Sequence, residues 1–251
     1  MFNLPIANIG AFVNAYGHSD LLGKLIILGL VFLSVVCWVV LVQNVWTTRQ
    51  VTQVSDAFKK AYLLNKDKLL HLELDLLPKP KNKLVPHPYA DIFRELKAKT
   101  VEILNKNLYF CSQEGKEKNQ VYLSPTDLEI VESHVLTTIS AQTKRLEKNL
   151  FILSTIITLA PFLGLLGTVW GILITFSELG QGASASSNMA VLGGLSTALA
   201  TTVLGLIIAI PALISYNYLK NTIRHYSSDM EEFLYQLLSS VELQYRKVDV
   251  N

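Results

Sequence analysis

The sequence has few cysteines, few charges and no cluster of metal-ligating residues. Its two cysteines, Cys37 and Cys111, lie far apart, so we expect neither a disulfide framework nor a metal site. The five histidines are scattered, and no nucleotide-binding glycine loop or pair of carboxylates accompanies them. The net charge of +2 argues neither for nor against nucleic acid. We expect no enzymatic activity, no cofactor and no nucleic-acid partner.

Charges are missing from three long stretches. Residues 21–42 contain only Lys24 as a charged residue, and residues 150–177 and 189–219 contain none. Because about 20 apolar residues cross the hydrocarbon core of a bilayer, each stretch is predicted to be a transmembrane helix. The predicted fold class is therefore an all-α integral membrane protein with three transmembrane helices and long cytoplasmic helical extensions.

The basic residues predict how these spans are oriented. Most of the 22 Lys and Arg lie between the first and second spans, and several others follow the third. Since Lys and Arg accumulate in cytoplasmic segments, residues 43–149 and 220–251 are predicted to be cytoplasmic, and residues 1–20 and the turn 178–188 periplasmic. Residues 1–20 lack a basic stretch and a cleavage signal, so we expect them to be retained.

The cytoplasmic segments are predicted to be helical, because apolar residues recur every three or four positions. A proline-rich stretch, residues 78–88, and a polar run, residues 112–120, interrupt the pattern. At Ser124 a new helix is predicted to begin with a capping box. We predict that it continues into the second span as one helix of about 50 residues, about 75 Å long, kinked near Pro161.

A second capping signature occurs in the C-terminal tail. It consists of Ser228 and Glu231. An apolar face follows, made of Met230, Phe233, Leu234, Leu237, Leu238 and Val241. Such a face can lie on a membrane or pack against other helices. Because a dense basic face is missing, we expect it to pack against the other cytoplasmic helices.

Small residues form a stripe on each of the last two spans. The set assigned to helix packing is Pro161, Gly164, Gly167, Gly171, Gly194, Gly205 and Pro211. Their glycines recur at helical spacing, which puts them on one face. Small residues allow membrane helices to approach closely. We therefore predict tight helix packing and a homo-oligomer.

Four threonines lie in the same spans: Thr168, Thr197, Thr201 and Thr202. An unpaired hydroxyl in hydrocarbon costs about 1 to 3 kcal/mol, although a helical threonine can bond to a carbonyl one turn earlier. Three threonines within six residues, opposite a helix with a fourth, predict a polar strip or a wetted seam. None of the three spans holds Asp, Glu or His in its interior, so the chain alone lacks a proton-carrying group.

Two sequence blocks resemble a known family. Residues 160–172 (APFLGLLGTVWGI) and residues 194–217 (GLSTALATTVLGLIIAIPALISYN) are similar to the signature helices of the TolQ/ExbB/MotA family, most of all to its TolQ branch. The resemblance implies a proton-driven motor subunit of the bacterial inner membrane that forms a homo-pentamer. It implies a TolR- or ExbD-type single-span partner that supplies an intramembrane Asp, a TolA- or TonB-type energy transducer as a further partner, and surrounding membrane lipid.

The resemblance also assigns roles to the threonines. It implies that Thr168 and Thr202 line the proton pathway, next to Thr201. Thr197 stands where TolQ and ExbB carry a glutamate, so this chain differs from those relatives at that position.

Three functions fit these observations. The first is a motor or channel subunit whose carboxylate comes from a partner; we favour a TolQ-type role in outer-membrane integrity and cell division over an ExbB-type role in TonB-dependent transport. The second is a flagellar stator subunit, which has four spans where we count three. The third is a membrane scaffold without ion flux, in which a hydroxyl strip would have no use. We predict the first.

Overall fold

The chain is helical over nearly all of the residues that the structure describes. The computed structural model describes residues 16–17, 20–64, 86–113, 122–180 and 187–245. It contains five long helices: α1 (Leu21–Leu64), α2 (Pro88–Gln113), α3 (Pro125–Glu147), α4 (Leu150–Gly180) and α5 (Ser187–Tyr245). No strand occurs in these ranges. The predicted all-α fold is confirmed.

Three of the helices are long and apolar enough to cross a membrane. They are α1, α4 and α5, with candidate spans Leu21–Tyr62, Leu150–Ser177 and Val191–Tyr245. The prediction of three transmembrane helices is confirmed. Both proline-containing spans remain helical, because α4 continues through Pro161 and α5 through Pro211.

The chain divides into two compact units. The described residues within 1–44 and 149–219 form the first, which we call the span unit, and those within 45–148 and 220–251 form the second, which we call the core unit. The span unit holds the apolar parts of α1, α4 and α5. The core unit holds α2, α3 and the remaining parts of α1 and α5.

The core unit has one hydrophobic core, in which a cluster of aromatic rings packs among aliphatic side chains. Phe58, Phe93 and Phe233 are fully buried, and the rings of Phe58 and Phe233 meet edge to face with centroids 6.1 Å apart. The apolar face of the tail contributes all six of its predicted residues to this core. The prediction that this face packs against other helices is therefore confirmed.

Buried hydroxyls tie α1 to α5 within the core unit. The hydroxyls of Ser55 and Tyr226 lie 2.5 Å apart, and those of Tyr62 and Ser240 lie 3.2 Å apart. Burial raises the pKa of Tyr226 above its ordinary value, because the ionised form loses its hydration there. Each of these four hydroxyls thus has a partner, as buried polar groups generally do.

The predicted capping box of α3 is present. Ser124 precedes the helix in an extended conformation, and its hydroxyl accepts a hydrogen bond from the Asp127 N–H at 3.1 Å. The Asp127 carboxylate in turn accepts one from the Ser124 N–H at 2.9 Å. Partial burial alone would raise the pKa of Asp127, but these bonds and one from Asn107 lower it overall. Most of the predicted interruptions, residues 78–88 and 112–120, lies outside the described residues. Within them, α2 begins at Pro88 and ends at Gln113, so the polar interruption starts at least two residues later than predicted.

Two helix boundaries predicted from the sequence are wrong. The helix from Ser124 does not run unbroken into the second span, because α3 ends at Glu147 and α4 begins at Leu150. At the break, the Ile152 N–H donates to the carbonyl of Asn149 at 3.3 Å, and the Asn149 side chain donates to Asn44 at 3.2 Å. Asparagine is disfavoured in helix interiors because its side-chain amide forms hydrogen bonds that compete with those of the helical backbone.

The second wrong boundary is the helix start at Ser228. This residue lies inside α5, which is continuous from Ser187 to Tyr245. No glycine or proline follows Leu219 within the helix, so nothing there breaks the backbone ladder. The buried tail face then holds the helix in the core. The capping signature at Ser228 does not start a new helix, because no glycine or proline before it ends the preceding one.

Candidate functional site

The two spans α4 and α5 meet along a seam that two threonine hydroxyls cross. Thr202 Oγ1 donates to the carbonyl oxygen of Gly164 at 3.0 Å. The one hydroxyl proton of Thr201 is shared between the same oxygen, 3.2 Å from Oγ1, and the carbonyl of Ala198 in its own helix, 2.7 Å from Oγ1. A glycine carbonyl can accept both bonds because no side chain shields it. The predicted polar feature between these helices is thus a set of hydrogen bonds from threonine to backbone.

The glycines allow the backbones to approach closely enough for these bonds. A Cβ atom added at Gly164 would lie 2.9 Å from the Thr201 carbonyl oxygen and 2.9 Å from the Thr202 Cα. One added at Gly205 would lie 2.5 Å from the carbonyl oxygen of Ala160. Real Cβ atoms do not approach backbone this closely, so alanine at either position requires the helices to move apart.

The same contacts define the register of the seam. Gly205 faces Ala160 at one end, Gly171 faces Ala198 further along, and Gly194 faces Thr175 at the other end. The pairs run in opposite directions along the two helices, so α4 and α5 are antiparallel neighbours in one chain. The small-residue stripes are therefore used inside the chain, and they no longer argue for contact between copies.

The four predicted threonines have different surroundings. Thr201 is 2% exposed, and its side chain fills the space beside Gly167. Thr202, Thr168 and Thr197 are half-buried. Thr168 donates to the carbonyl of Leu165 at 2.7 Å and Thr197 to that of Gly193 at 2.8 Å. The structure brings Thr201 and Thr202 together at Gly164. It shows no hydrogen bond from Thr168 or Thr197 to either of them.

All four hydroxyl protons are committed to backbone carbonyls. Each hydroxyl oxygen still has lone pairs, because a threonine hydroxyl is one donor and a double acceptor. In this arrangement the threonines can therefore accept a hydrogen bond from water or from a protonated carboxyl group. They can donate to a carboxylate only by giving up a bond within the helix pair.

Some residues of the span unit were not predicted as site residues. Thr175 is 7% exposed and contacts Gly194, while its hydroxyl donates to the Gly171 carbonyl at 2.8 Å. The pair formed by Trp170 and Asp20, in which the indole Nε1 donates to Oδ2 at 2.8 Å, was also missed. An aspartate directly before an apolar run is a helix-start signal and could have identified Asp20. Nothing in the local sequence indicates its partner.

No group of three or more His, Cys, Asp or Glu side chains that could hold a metal ion occurs in the described ranges. The seam itself offers hydroxyl and carbonyl oxygens and no titratable side chain. Its chemistry is limited to hydrogen bonding, to water or to a group that another chain brings.

Comparison with known sequences identifies similar proteins over most of the chain. The profile of the MotA/TolQ/ExbB proton channel family matches residues 107–232. The biopolymer transport protein ExbB of Salmonella typhimurium is 27% identical over 241 residues, covering 94% of this chain and 87% of that protein. The match to the seam helices is part of this longer alignment.

Two shorter matches have higher identity. The biopolymer transport protein ExbB of Aquifex aeolicus is 42% identical over 99 residues, which cover 39% of this chain and 66% of that protein. The putative biopolymer transport protein ExbB-like 2 of Helicobacter pylori is 47% identical over 74 residues, or 49% of its length. All three relatives carry an ExbB name, so the preference for a TolQ role receives no support from them.

Proposed function

Because the chain belongs to the MotA/TolQ/ExbB proton channel family, we propose that it is a subunit of a complex driven by the proton-motive force in a bacterial inner membrane. In this proposal it assembles as a homo-pentamer, with residues 1–20 periplasmic and residues 220–251 cytoplasmic. A single-span partner supplies the titrating Asp, and an energy transducer receives the work. The chain itself is not an enzyme.

The observation that carries the proposal is the hydroxyl seam at Gly164. It is a polar element at a helix contact where glycine and alanine let the two backbones approach closely. Thr202 and Thr168 are only half-buried, so their acceptor lone pairs can face a partner helix or water. A protonated carboxyl group that meets such an acceptor is held in place, and water beside it can take the proton onward.

A proton pathway through this chain requires a carboxylate from elsewhere. The interiors of the predicted spans contain no Asp, Glu or His, and Thr197 cannot titrate near neutral pH. The partner's Asp therefore titrates beside neutral hydroxyls, because the position of Thr197 carries no carboxylate. This supports a division of labour in which the chain provides the lining and the partner provides the proton-binding group.

The names of the relatives favour an ExbB-type role. Each of the three relatives described is an ExbB protein, and the Salmonella alignment covers nearly the whole chain. We therefore propose an ExbD-type partner and a TonB-type transducer. The TolQ-type alternative, with TolR- and TolA-type partners and a role in outer-membrane integrity and cell division, rests on the resemblance of the two signature helices.

The test of the pathway removes one hydroxyl at a time. Thr202→Val and Thr168→Val remove the acceptor oxygen and nearly keep the side-chain shape, so we expect an intact oligomer that no longer performs proton-driven work. Thr202→Ser and Thr168→Ser keep the hydroxyl and should retain part of the function. Thr155→Val is the matched control, because Thr155 is an exposed threonine of α4 that donates to the Phe151 carbonyl in its own helix.

The variants should be compared at equal abundance in a host that lacks its own ExbB- and TolQ-type complexes, with an ExbD-type or a TolR-type single-span partner supplied together with the chain. Restored TonB-dependent uptake indicates the ExbB role, and restored resistance to detergents indicates the TolQ role. Full function in both valine variants would exclude the proposed pathway.

A further inference from the structure

The part of α4 that precedes Gly164 carries three hydroxyl side chains outside the contacts of the seam. Thr155 and Thr158 are exposed, and Ser154 is half-buried. Ser154 and Thr155 each donate to the carbonyl of Phe151 at 2.9 Å. The one hydroxyl proton of Thr158 is shared between the carbonyls of Ser154, at 3.3 Å, and Thr155, at 2.9 Å. These hydroxyl protons are therefore committed within the helix, and the oxygen lone pairs remain as acceptors.

Two of these hydroxyls lie on the same face of α4 as Thr168. With 3.6 residues per turn, Ser154, Thr158 and Thr168 fall within an arc of about 80° around the helix axis, whereas Thr155 lies about 140° from Thr168. Along the helix, Thr158 is about 15 Å from Thr168 and Ser154 about 21 Å. Leu165 is the large apolar side chain between them on this face. The face that carries Thr168 thus becomes polar again toward the start of α4.

Pro161 adds a backbone acceptor to this face. A helical carbonyl accepts from the N–H four residues on, and proline has no N–H, so the carbonyl of Ile157 lacks that bond although α4 continues through Pro161. The carbonyl points toward Pro161, which falls within the same arc as Ser154 and Thr158. Among the described residues, no backbone N–H of another helix donates to it. A carbonyl without a donor is costly in hydrocarbon.

Pro211 of α5 provides a contrast within the same chain. It removes the helical donor for the carbonyl of Ile207 in the same way, and α5 also continues through it. Yet no serine or threonine lies between Thr202 and Ser215 in the sequence, so no hydroxyl of these turns accompanies that carbonyl. The grouping of hydroxyls around Pro161 is therefore a property of α4 and not a general consequence of proline in a span.

We propose that Ser154, Thr158 and the carbonyl of Ile157 form a water-binding site, which we call the exit site. The site lies on the route that a proton takes from the partner's carboxyl group to the cytoplasm, so this proposal rests on the proposed function. In the proposed orientation α4 begins on the cytoplasmic side, and the exit site lies between that side and Thr168. It deepens the pathway by naming the groups that hold water beyond the threonines of the seam.

The chemistry of the exit site matches water or hydronium. Its three groups offer acceptor oxygens, which bind the O–H groups of water and do not carry the proton themselves. The proton passes between waters, because one O–H bond breaks as the next one forms, and the hydroxyls of the chain keep their protons. Lipid chains have no donor to offer, and residues 150–177 contain no charged side chain that could donate instead.

The reactivity of single cysteines tests whether water fills this face. Ser154→Cys and Thr158→Cys are made in the full chain, with Cys37 replaced by alanine and Cys111 by serine. The chain is produced with an ExbD-type single-span partner in inside-out membrane vesicles. A membrane-impermeant cationic methanethiosulfonate reacts with the thiolate, which forms in water and is suppressed in apolar surroundings. We expect both cysteines to react about tenfold faster than Thr155→Cys, the change that one unit of thiol pKa produces.

The outcome separates this proposal from the role of Thr168. Equally slow reaction of Ser154→Cys, Thr158→Cys and Thr155→Cys would overturn the exit site, because lipid or another helix would then cover the face. That result would leave the test of Thr168→Val untouched. Fast reaction at Ser154→Cys and Thr158→Cys supports the site whatever Thr168→Val does, because the reagent detects water and not proton-driven work.

A second measurement tests the backbone acceptor. Pro161→Ala restores the N–H that bonds to the carbonyl of Ile157, so the exit site loses one of its three acceptors and the reaction of Thr158→Cys should slow severalfold. Pro211→Ala is the matched control in α5 and should leave the rate unchanged. An unchanged rate in Pro161→Ala would exclude the carbonyl from the site.

A functional comparison links the exit site to the pathway. The double variant Ser154→Ala, Thr158→Val removes both hydroxyl acceptors, so we expect it to lose most of the proton-driven work while the oligomer stays intact. Thr158→Ser keeps the acceptor oxygen and should retain the work, and Thr155→Val is the control on the other face of α4. Full work in the double variant would show that protons do not pass this site.

Discussion

Gly164 is the residue on which the helix pair depends most directly. Its carbonyl accepts from two threonines, and its missing side chain leaves room for the backbone of α5. We expect Gly164→Ala to destabilise the protein by about 1 to 3 kcal/mol, as overpacking does in well-packed interiors. Unfolding in mixed detergent, followed by circular dichroism, measures the change.

Gly193 and Gly29 provide the controls for this prediction. A Cβ atom at either position meets nothing within 4 Å, and alanine is the better helix former. Gly193→Ala and Gly29→Ala should therefore leave stability unchanged or raise it slightly. If all three variants behave alike, the seam at Gly164 is looser than the structure indicates.

At the residue level, the sequence predicted which residues lie at the seam better than it predicted which residues contact each other. The glycine and threonine positions were identified because helical spacing groups them on one face. Which hydroxyl is buried was not predicted, since the burial of Thr201 depends on the rotation of α5 against α4. The Trp170–Asp20 pair was missed for a similar reason. A hydrogen bond across 150 residues depends on helix register, which leaves no signal in local sequence.

Among the helices, α3 is the one whose start is set by a short local motif. Ser124→Ala removes the hydroxyl that accepts from Asp127 N–H, and loss of an N-cap costs about 1 kcal/mol. We expect hydrogen exchange in the first turn of α3 to become about fivefold faster, which corresponds to that free energy. Ser133→Ala is the control, because Ser133 is an exposed position in the middle of the same helix. Equal exchange in the two variants would mean that the capping box does not stabilise this turn.

Helix boundaries were predicted well where the signal is chemical and local, and poorly where it is tertiary. The start of α3 follows from Ser124, Pro125 and Asp127, which act within one turn. No proline or glycine lies between Glu147 and Leu150, so no helix-breaking residue predicts the break there. It accompanies the bond from Asn149 to Asn44, a residue that is distant in sequence.

For the whole molecule, the sequence predicts the orientation in the membrane, which labelling experiments can test. A cysteine at Ser186 should react with a membrane-impermeant maleimide in intact cells, because basic residues are absent from the turn 178–188. A cysteine at Ser112 should react only after lysis, because its segment is rich in lysine. The native cysteines must be replaced first. The reverse labelling pattern would contradict the predicted orientation.

The number of spans and the all-helical fold followed from the sequence because both depend on bulk hydrophobicity and on periodic patterns. The division into two units also has a sequence basis, since apolar runs and amphipathic stretches alternate along the chain. The assembly could not be derived in this way. The stripes that suggested contact between copies are occupied within one chain, so a pentamer rests on the resemblance to the family.

The seam also has a thermodynamic consequence that follows from which residues form it. Glycine and alanine have no side-chain rotamers to lose on folding, and the contact includes Gly164, Gly171, Gly205, Ala160 and Ala198. Association of the two helices therefore sacrifices little conformational entropy, apart from that of a few threonines. In a membrane, where burial of apolar surface gives no driving force between helices, this low entropic penalty allows weak dispersion forces and a few hydrogen bonds to hold the pair together.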